Sequence, residues 1–183
     1  MNENKAIFLD RDGTLNKDPG YVYRIQDFEL LPGVIEGLKM LQDEFIFIII
    51  TNQSGIGRGY YSVDDFHAFN NHLVNFLAEK GIEIKKTYFC PHLKEEGCDC
   101  RKPNTKFINQ AVSEFKIDLK KSWMLGDHPS DVNLGTNAGC NTVFMLTGHG
   151  MEHYHEIEQG KFNPTLVAED FLTAAKKIKE NMV

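Results

Sequence analysis

The strongest constraint on this chain is the run Ala6-Ile7-Phe8-Leu9, which stops abruptly at Asp10-Arg11-Asp12-Gly13-Thr14. Four apolar residues closed by a turn signal are too few for a helix and read as a short buried strand. In an open parallel sheet, ligands bind just beyond the carboxyl ends of the strands, where Asp10 and Asp12 would fall. Two carboxylates one residue apart repel each other unless a cation or shared proton lies between them. Mg2+, a hard dication with a preference for oxygen ligands, suits that place. Gly13 and Thr14 fit a tight turn that lets the backbone approach a ligand.

The same punctuation recurs along the chain. Phe45 to Ile50 is a β-prone apolar run ending at Thr51-Asn52, and it is the longest apolar stretch present. Thr87–Phe89, Trp123–Leu125 and Thr142–Leu146 read as three further strands. Between them, Val34, Leu38 and Leu41 recur at helical spacing, as do Phe66, Phe69, Leu73, Phe76 and Leu77, and Phe107, Ala111, Val112 and Phe115. Val132–Ala138 and Ala168–Glu180 read as helices, while 16–31, 55–59 and the stretch carrying His149, His153 and His155 read as loops, those histidines solvated. Strands alternating with helices predict an α/β fold: three layers, doubly wound around a mostly parallel five-stranded sheet. With 183 residues the chain is expected to form one domain over 1–183.

Composition removes other classes. A net charge of −6 argues against nucleic acid or an anionic membrane surface as partner. No apolar run approaches a membrane span. The N-terminus lacks a basic segment followed by an apolar one, so no export signal is visible and a cytoplasmic, monomeric protein is expected. In a reducing compartment, clustered cysteines favour a metal over disulfides. Cys90-Pro91-His92 and Cys98-Asp99-Cys100 place four soft or borderline ligands within eleven positions, the number a closed structural Zn2+ site needs. In extended chain, side chains at i and i+2 share a face, so each pair can chelate. The remaining cysteine, Cys140, reads as a buried small residue.

Polar groups gather at the expected strand ends. Asp10, Asp12 and Asp127 offer side-chain carboxylates and a backbone carbonyl to an octahedral Mg2+. Thr51 brings a hydroxyl and Lys102 a point charge, both suited to the charge of a transferring phosphoryl group. One aspartate can attack phosphorus, and its neighbour can protonate the leaving oxygen and later activate water. Singly, each residue has an ordinary role, as a turn cap or a solvated lysine. Their order and strand-end placement together favour one site.

Asp10-Arg11-Asp12-Gly13-Thr14, Thr51-Asn52, Arg101-Lys102-Pro103 and Gly126-Asp127-x-x-x-Asp131 resemble the four ordered motifs of the haloacid dehalogenase superfamily. The likeness extends over roughly residues 5–147, and within the superfamily the chain is similar to the heptose-bisphosphate and histidinol phosphatases. That resemblance implies Asp10 as nucleophile, Asp12 as general acid/base, and Thr51 and Lys102 as phosphoryl stabilisers. It implies Mg2+ on Asp10, Asp127 and the Asp12 carbonyl, with Asp131 orienting the site. It also implies substrate contacts from Asp18, Pro19, Gly20, Tyr21, Asn52, Gln53, Ser54 and Arg101, and a zinc loop over 90–100 on Cys90, His92, Cys98 and Cys100. His128 stands where such enzymes often carry lysine. The short spacings from Asp12 to Thr51 and from Thr51 to Lys102 leave no room for a cap domain, so loops must supply specificity.

The activity implied is a Mg2+-dependent phosphomonoesterase acting on a small phosphorylated metabolite. The first reading is removal of the 7-phosphate of a heptose 1,7-bisphosphate, in the synthesis of lipopolysaccharide precursors. Histidinol phosphate is the rival substrate. A zinc-braced binding module without catalysis is the rival of another class, and the intact acidic and lysine motifs speak against it.

Overall fold

The computed structural model describes residues 3–182. Its elements run β1 (Ala6–Leu9), α1 (Val34–Leu41), β2 (Ile46–Asn52), α2 (Ser54–Gly57), α3 (Val63–Glu79), β3 (Ile84–Cys90) and α4 (Lys106–Phe115). They continue as β4 (Trp123–Gly126), α5 (Pro129–Ala138), β5 (Asn141–Met145), α6 (Gly150–Glu158), β6 (Leu166–Ala168) and α7 (Phe171–Glu180). The strands form one sheet in the order β3-β2-β1-β4-β5-β6, and every pairing is parallel.

That order explains where the site must lie. From β1 the chain winds outward through β2 and β3, then returns to the other flank of β1 to lay down β4, β5 and β6. Loops leaving β1 and β4 therefore part in opposite directions and open a crevice at their carboxyl ends. Asp10 follows β1 and Asp127 follows β4, and the Asp10 amide still donates to the Leu125 carbonyl at 2.9 Å.

Burial on both faces accounts for the continuous apolar runs. Ile7, Leu9, Phe47, Ile49 and Leu125 pack one face against Leu38 and Leu41 of α1, Leu73 and Leu77 of α3, and Phe171 and Ile178 of α7. Ala6, Phe8, Ile48, Ile50 and Met124 pack the other against Ile108 and Ala111 of α4 and Leu134 of α5. Phe8 sits between Ile48 and Met124 in register and is fully buried, a placement that contributes about 1.5–3 kcal/mol of hydrophobic stabilisation. A charge there would break the central strand.

Three expectations are corrected. The sheet has six strands, because Leu166–Ala168 pairs with Val143–Met145 before the closing helix begins at Phe171. Three residues are too short for a period, so only the neighbouring strand defines them. Residues 54–57 close into a short helix rather than an open loop. The stretch read as a histidine loop is α6, supported by His153–Glu156 at 2.6 Å one turn apart. Among the described residues, no helix is long and apolar enough to cross a membrane.

Candidate active site and metal cluster

The carboxyl edge of the sheet holds a cleft of about 450 Å³. Asp10, Asp12, Asp18, Gly20, Tyr21, Thr51, Asn52, Gln53, Ser54, Arg101, Lys102 and Asp127 all line it, so four separate stretches of sequence converge. Pro19 does not; it faces a neighbouring hollow with Lys17 and Leu31. Tyr61, His128, Ser130 and His149 complete the wall.

Lys102 lies at the floor. Its ammonium lies 2.8 Å from Asp10 Oδ1 and 2.7 Å from Asp131 Oδ1 as an ion pair with both, and donates to the Ile50 carbonyl at 3.1 Å. The peptide N–H of Lys102 donates to Asn52 Oδ1 at 3.0 Å, tying this segment to the end of β2. Burial pulls the lysine pKa down, yet Asp10 and Asp131 hold it well above the ordinary range. It is a permanent buried cation.

Asp10, Asp127 and Asp131 bring carboxylate oxygens within 4.8 Å of one another. Burial drives the Asp10 carboxyl up against the pull of Lys102, and it drives Asp127 up further, with the charges of Asp10 and Asp131 adding to the effect. Fully ionised, the three carboxylates and one ammonium would carry a net charge of −2 in a buried space, which one divalent cation neutralises. Room for Asp127 depends on two glycines. A Cβ on Gly13 or on Gly148 would lie 2.1 Å from Asp127 Oδ2, and both backbones have positive φ. The backbone N–H of His149 then donates to the same oxygen at 2.8 Å.

Asp12 is held differently. Arg11 grips it through Nε–Oδ1 and Nη2–Oδ2, both 2.8 Å, while Asn16 donates to Oδ1 at 3.0 Å and Gln53 to Oδ2 at 2.9 Å. Burial raises the Asp12 carboxyl, but Arg11, Gln53 and Asn16 outweigh it and keep the pKa below the usual carboxylate range. So the repulsion expected between the two aspartates is resolved by a buried arginine for Asp12. The third carboxylate beside Asp10 and Asp127 comes from Asp131, to which the sequence assigned an orienting part. Arg11 itself is fully buried against the faces of Phe66 and Phe69.

Helix α5 points its N-terminus at the cleft. His128 caps it by accepting from the Ser130 N–H through Nδ1, and Asp131 accepts the His128 N–H at 3.1 Å. Burial, aided by His153 and Lys102, pushes His128 down to about 4, so the imidazole is neutral and able to accept. The first-turn N–H groups are engaged within the cap, and the helix dipole favours an anion here.

The cysteine cluster sits where β3 ends. Cys90 Sγ lies 3.6 Å from His92 Nδ1 and 3.5 Å from Cys98 Sγ; Cys100 Sγ lies 3.3 Å from His92 Nδ1 and 3.6 Å from Cys98 Sγ. A zinc tetrahedron with bonds near 2.3 Å has sulfur–sulfur edges of about 3.8 Å. The donor set and its spacing fit Zn2+. Arg101 Nη1 donates to the His92 carbonyl at 3.3 Å, so the loop also braces the cleft rim.

Carboxylates, a buried lysine, a hydroxyl and a helix N-terminus at the switch point of a parallel sheet define a hydrolase of phosphate esters. Residues 99–174 match the HAD-hydrolase-like family model. The chain is 43% identical over 163 residues to the D-glycero-beta-D-manno-heptose-1,7-bisphosphate 7-phosphatase of Helicobacter pylori, covering 88% of this chain and 94% of that one. It is 43% identical over 145 residues to the D-glycero-alpha-D-manno-heptose-1,7-bisphosphate 7-phosphatase of Campylobacter jejuni, covering 79% and 83%. The structure of the D,D-heptose 1,7-bisphosphate phosphatase from B. bronchiseptica, complexed with magnesium and phosphate, superposes with a TM-score of 0.87 at 29% identity over 97% of this chain and 99% of that one. The chain belongs to the haloacid dehalogenase-like hydrolases, within the family of the heptose-bisphosphate phosphatases.

Tyr61 escaped the sequence reading, and His149, read there as a solvated loop histidine, lines the cleft. Tyr61 lies outside every motif, and His149 follows Gly148 in a stretch with no apolar period, so nothing local marks either as part of the cleft.

Proposed function

We infer that the chain is a Mg2+-dependent phosphatase that removes the 7-phosphate of a D-glycero-D-manno-heptose 1,7-bisphosphate. The observation that carries this reading is the placement of two cationic groups in one cleft, Lys102 at its floor beside Asp10 and Arg101 at its rim. A bisphosphate can meet both at once. The names of the relatives support the same substrate, and because they include both anomers the choice of anomer is left to experiment.

Asp10, Asp127 and Asp131 supply the oxygen cluster for Mg2+, with the Asp12 carbonyl as a further ligand. When bound, the ion offsets the carboxylates' charge and polarises a phosphate oxygen. An Asp10 oxygen attacks the phosphorus of the 7-phosphate, and the bond from phosphorus to the sugar oxygen breaks. Asp12, as the carboxylic acid, gives its proton to the departing alkoxide. Water then attacks the aspartyl phosphate and hands a proton to the Asp12 carboxylate; the bond to Asp10 breaks and phosphate leaves. Four N–H donors occupy the Asp12 carboxylate, so one must give way when the proton is carried. Lys102, Thr51 and the α5 N-terminus stabilise the charge on the transferring group. Cys90, His92, Cys98 and Cys100 hold a structural zinc that steadies Arg101 and Lys102. The protein works as a cytoplasmic monomer on this reading.

The test is phosphate release with Mg2+ from both heptose bisphosphate anomers, histidinol phosphate and sugar monophosphates, with NMR of the product to show which phosphate left. A preference of about tenfold or more for a bisphosphate, roughly 1.4 kcal/mol in transition-state binding, is expected. Greater efficiency on histidinol phosphate, or loss of the 1-phosphate, would overturn the assignment.

A further inference from the structure

The clamp on Asp12 depends on which way round one amide sits. Gln53 Nε2 donates to Asp12 Oδ2 at 2.9 Å and to Thr51 Oγ1 at 2.8 Å. Turned over, the amide would place its oxygen against a carboxylate oxygen, two acceptors in contact. What holds the other end is the Tyr61 hydroxyl, which donates to Gln53 Oε1 at 2.5 Å, a shorter bond than the 3.3 Å one from Arg11 Nη2.

Tyr61 is built into this position. It is 7% exposed, and its ring stacks on Tyr23 at 5.0 Å with a 14° interplanar angle. Gly55 makes the space, because a Cβ there would lie 2.2 Å from the Tyr61 ring. Burial raises the phenol pKa, so the hydroxyl keeps its hydrogen and remains a donor. A tyrosine needing only hydrophobic contact has no use for a short bond to a catalytic-cleft amide.

We propose that Tyr61 is a positioning residue for the leaving-group step: its hydroxyl orients the Gln53 amide, and the oriented amide sets the carboxylate of Asp12. The proposal rests on the phosphatase reading above. In the step concerned, the bond from phosphorus to the leaving oxygen breaks while Asp10 bonds to phosphorus, and the proton on Asp12 passes to the leaving oxygen. An alkoxide needs that proton. A p-nitrophenolate does not.

The difference between leaving groups supplies the test. We would measure kcat/KM, which ends at phosphoryl transfer, for wild type and Tyr61→Phe on an alkyl phosphate (the heptose bisphosphate) and on p-nitrophenyl phosphate. Tyr61→Phe keeps the ring and its stacking. The expected result is a loss of about tenfold or more on the alkyl ester and less than about threefold on the aryl ester, a weaker copy of the split given by Asp12→Asn. In a Gln53→Ala background the same change should add no further selective loss, because no amide remains to orient. Equal losses on both esters, no loss on either, or full additivity with Gln53→Ala would each overturn the proposal. No phosphate release by wild type from either ester would instead refute the phosphatase reading, and the proposal with it.

Discussion

Replacing Lys102 by Met is the most direct probe of the electrostatics of the cleft floor. Without metal at pH 7 the wild-type cluster of Asp10, Asp127, Asp131 and Lys102 carries a net −1, because Asp127, pushed up to about 9 by burial and its neighbours, holds its proton. The substitution makes this −2 and leaves two carboxylate oxygens without their cation and the Ile50 carbonyl without its donor. Removing one partner of a buried ion pair costs about 3–5 kcal/mol, since the charge left behind stays desolvated. In a chain of 183 residues each kcal/mol moves Tm by about 2–4 °C, so the metal-free variant should melt roughly 6–20 °C lower. The folded-state pKa of Lys102 is raised above 10.5, so its stabilisation is fully present below 10.5 and is lost only as pH rises through the folded value. At pH 7 the whole effect is therefore visible. It should shrink towards acid pH, where the carboxylates protonate, and shrink again on adding Mg2+. Pairing the change with Asp131→Asn, which returns the cluster to −1, should recover part of the loss. Calorimetry with and without Mg2+ reads all of this. A variant melting within 2 °C of wild type in the absence of metal, or one indifferent to pH and Mg2+, would refute the account of a charge-imbalanced floor.

Three further outcomes are expected. On the reading that Cys90, His92, Cys98 and Cys100 hold zinc, a zinc-selective chelator, with Mg2+ kept in excess, should lower Tm by several degrees and cut kcat/KM on the bisphosphate about tenfold, since the loop braces Arg101 and the Lys102 segment; unchanged values would remove the structural role of the cluster. Gly148→Ala puts a methyl 2.1 Å from Asp127 Oδ2 at a backbone φ of +51, so it should cost about 1–3 kcal/mol in stability and raise the Mg2+ concentration needed for half-maximal rate, both read by titration and melting. Glu44 has its carboxyl held below the ordinary 4.5 by hydrogen bonding to Lys179, with Lys5 also in contact. A depressed carboxyl stabilises above its unfolded pKa and loses that contribution as pH falls through the folded one. Glu44→Gln should therefore narrow the gap in Tm between pH 7 and pH 3, and an unchanged gap would show the pair to be silent.

Much of the architecture could be read directly from sequence because its signals are local. The runs before Asp10, Thr51 and Gly126 are buried on both faces, so they are uniformly apolar and end sharply. Strand β6 was missed because three residues have no period; the pairing of Val143 with Leu166 decides it. Helix α6 was missed because its surface is polar nearly all round, and short His–Glu contacts support it where apolar spacing does not.

At the site, the chain determined the chemical types by itself: carboxylates after β1 and β4, a hydroxyl at the end of β2, a lysine before α4 and a Cys/His cluster. Residue identity and order are written covalently, and strand ends are local events. Only the tertiary structure decided which of these groups share charge. Asp12 is neutralised by Arg11 although it lies two residues from Asp10, whereas Asp131, far along the chain, joins Asp10 on Lys102. Tyr61 reaches the network through Gln53, and Gly148 makes room for Asp127. Such relations depend on distances of a few ångströms between segments that meet only when the sheet assembles, and no one-dimensional pattern encodes them.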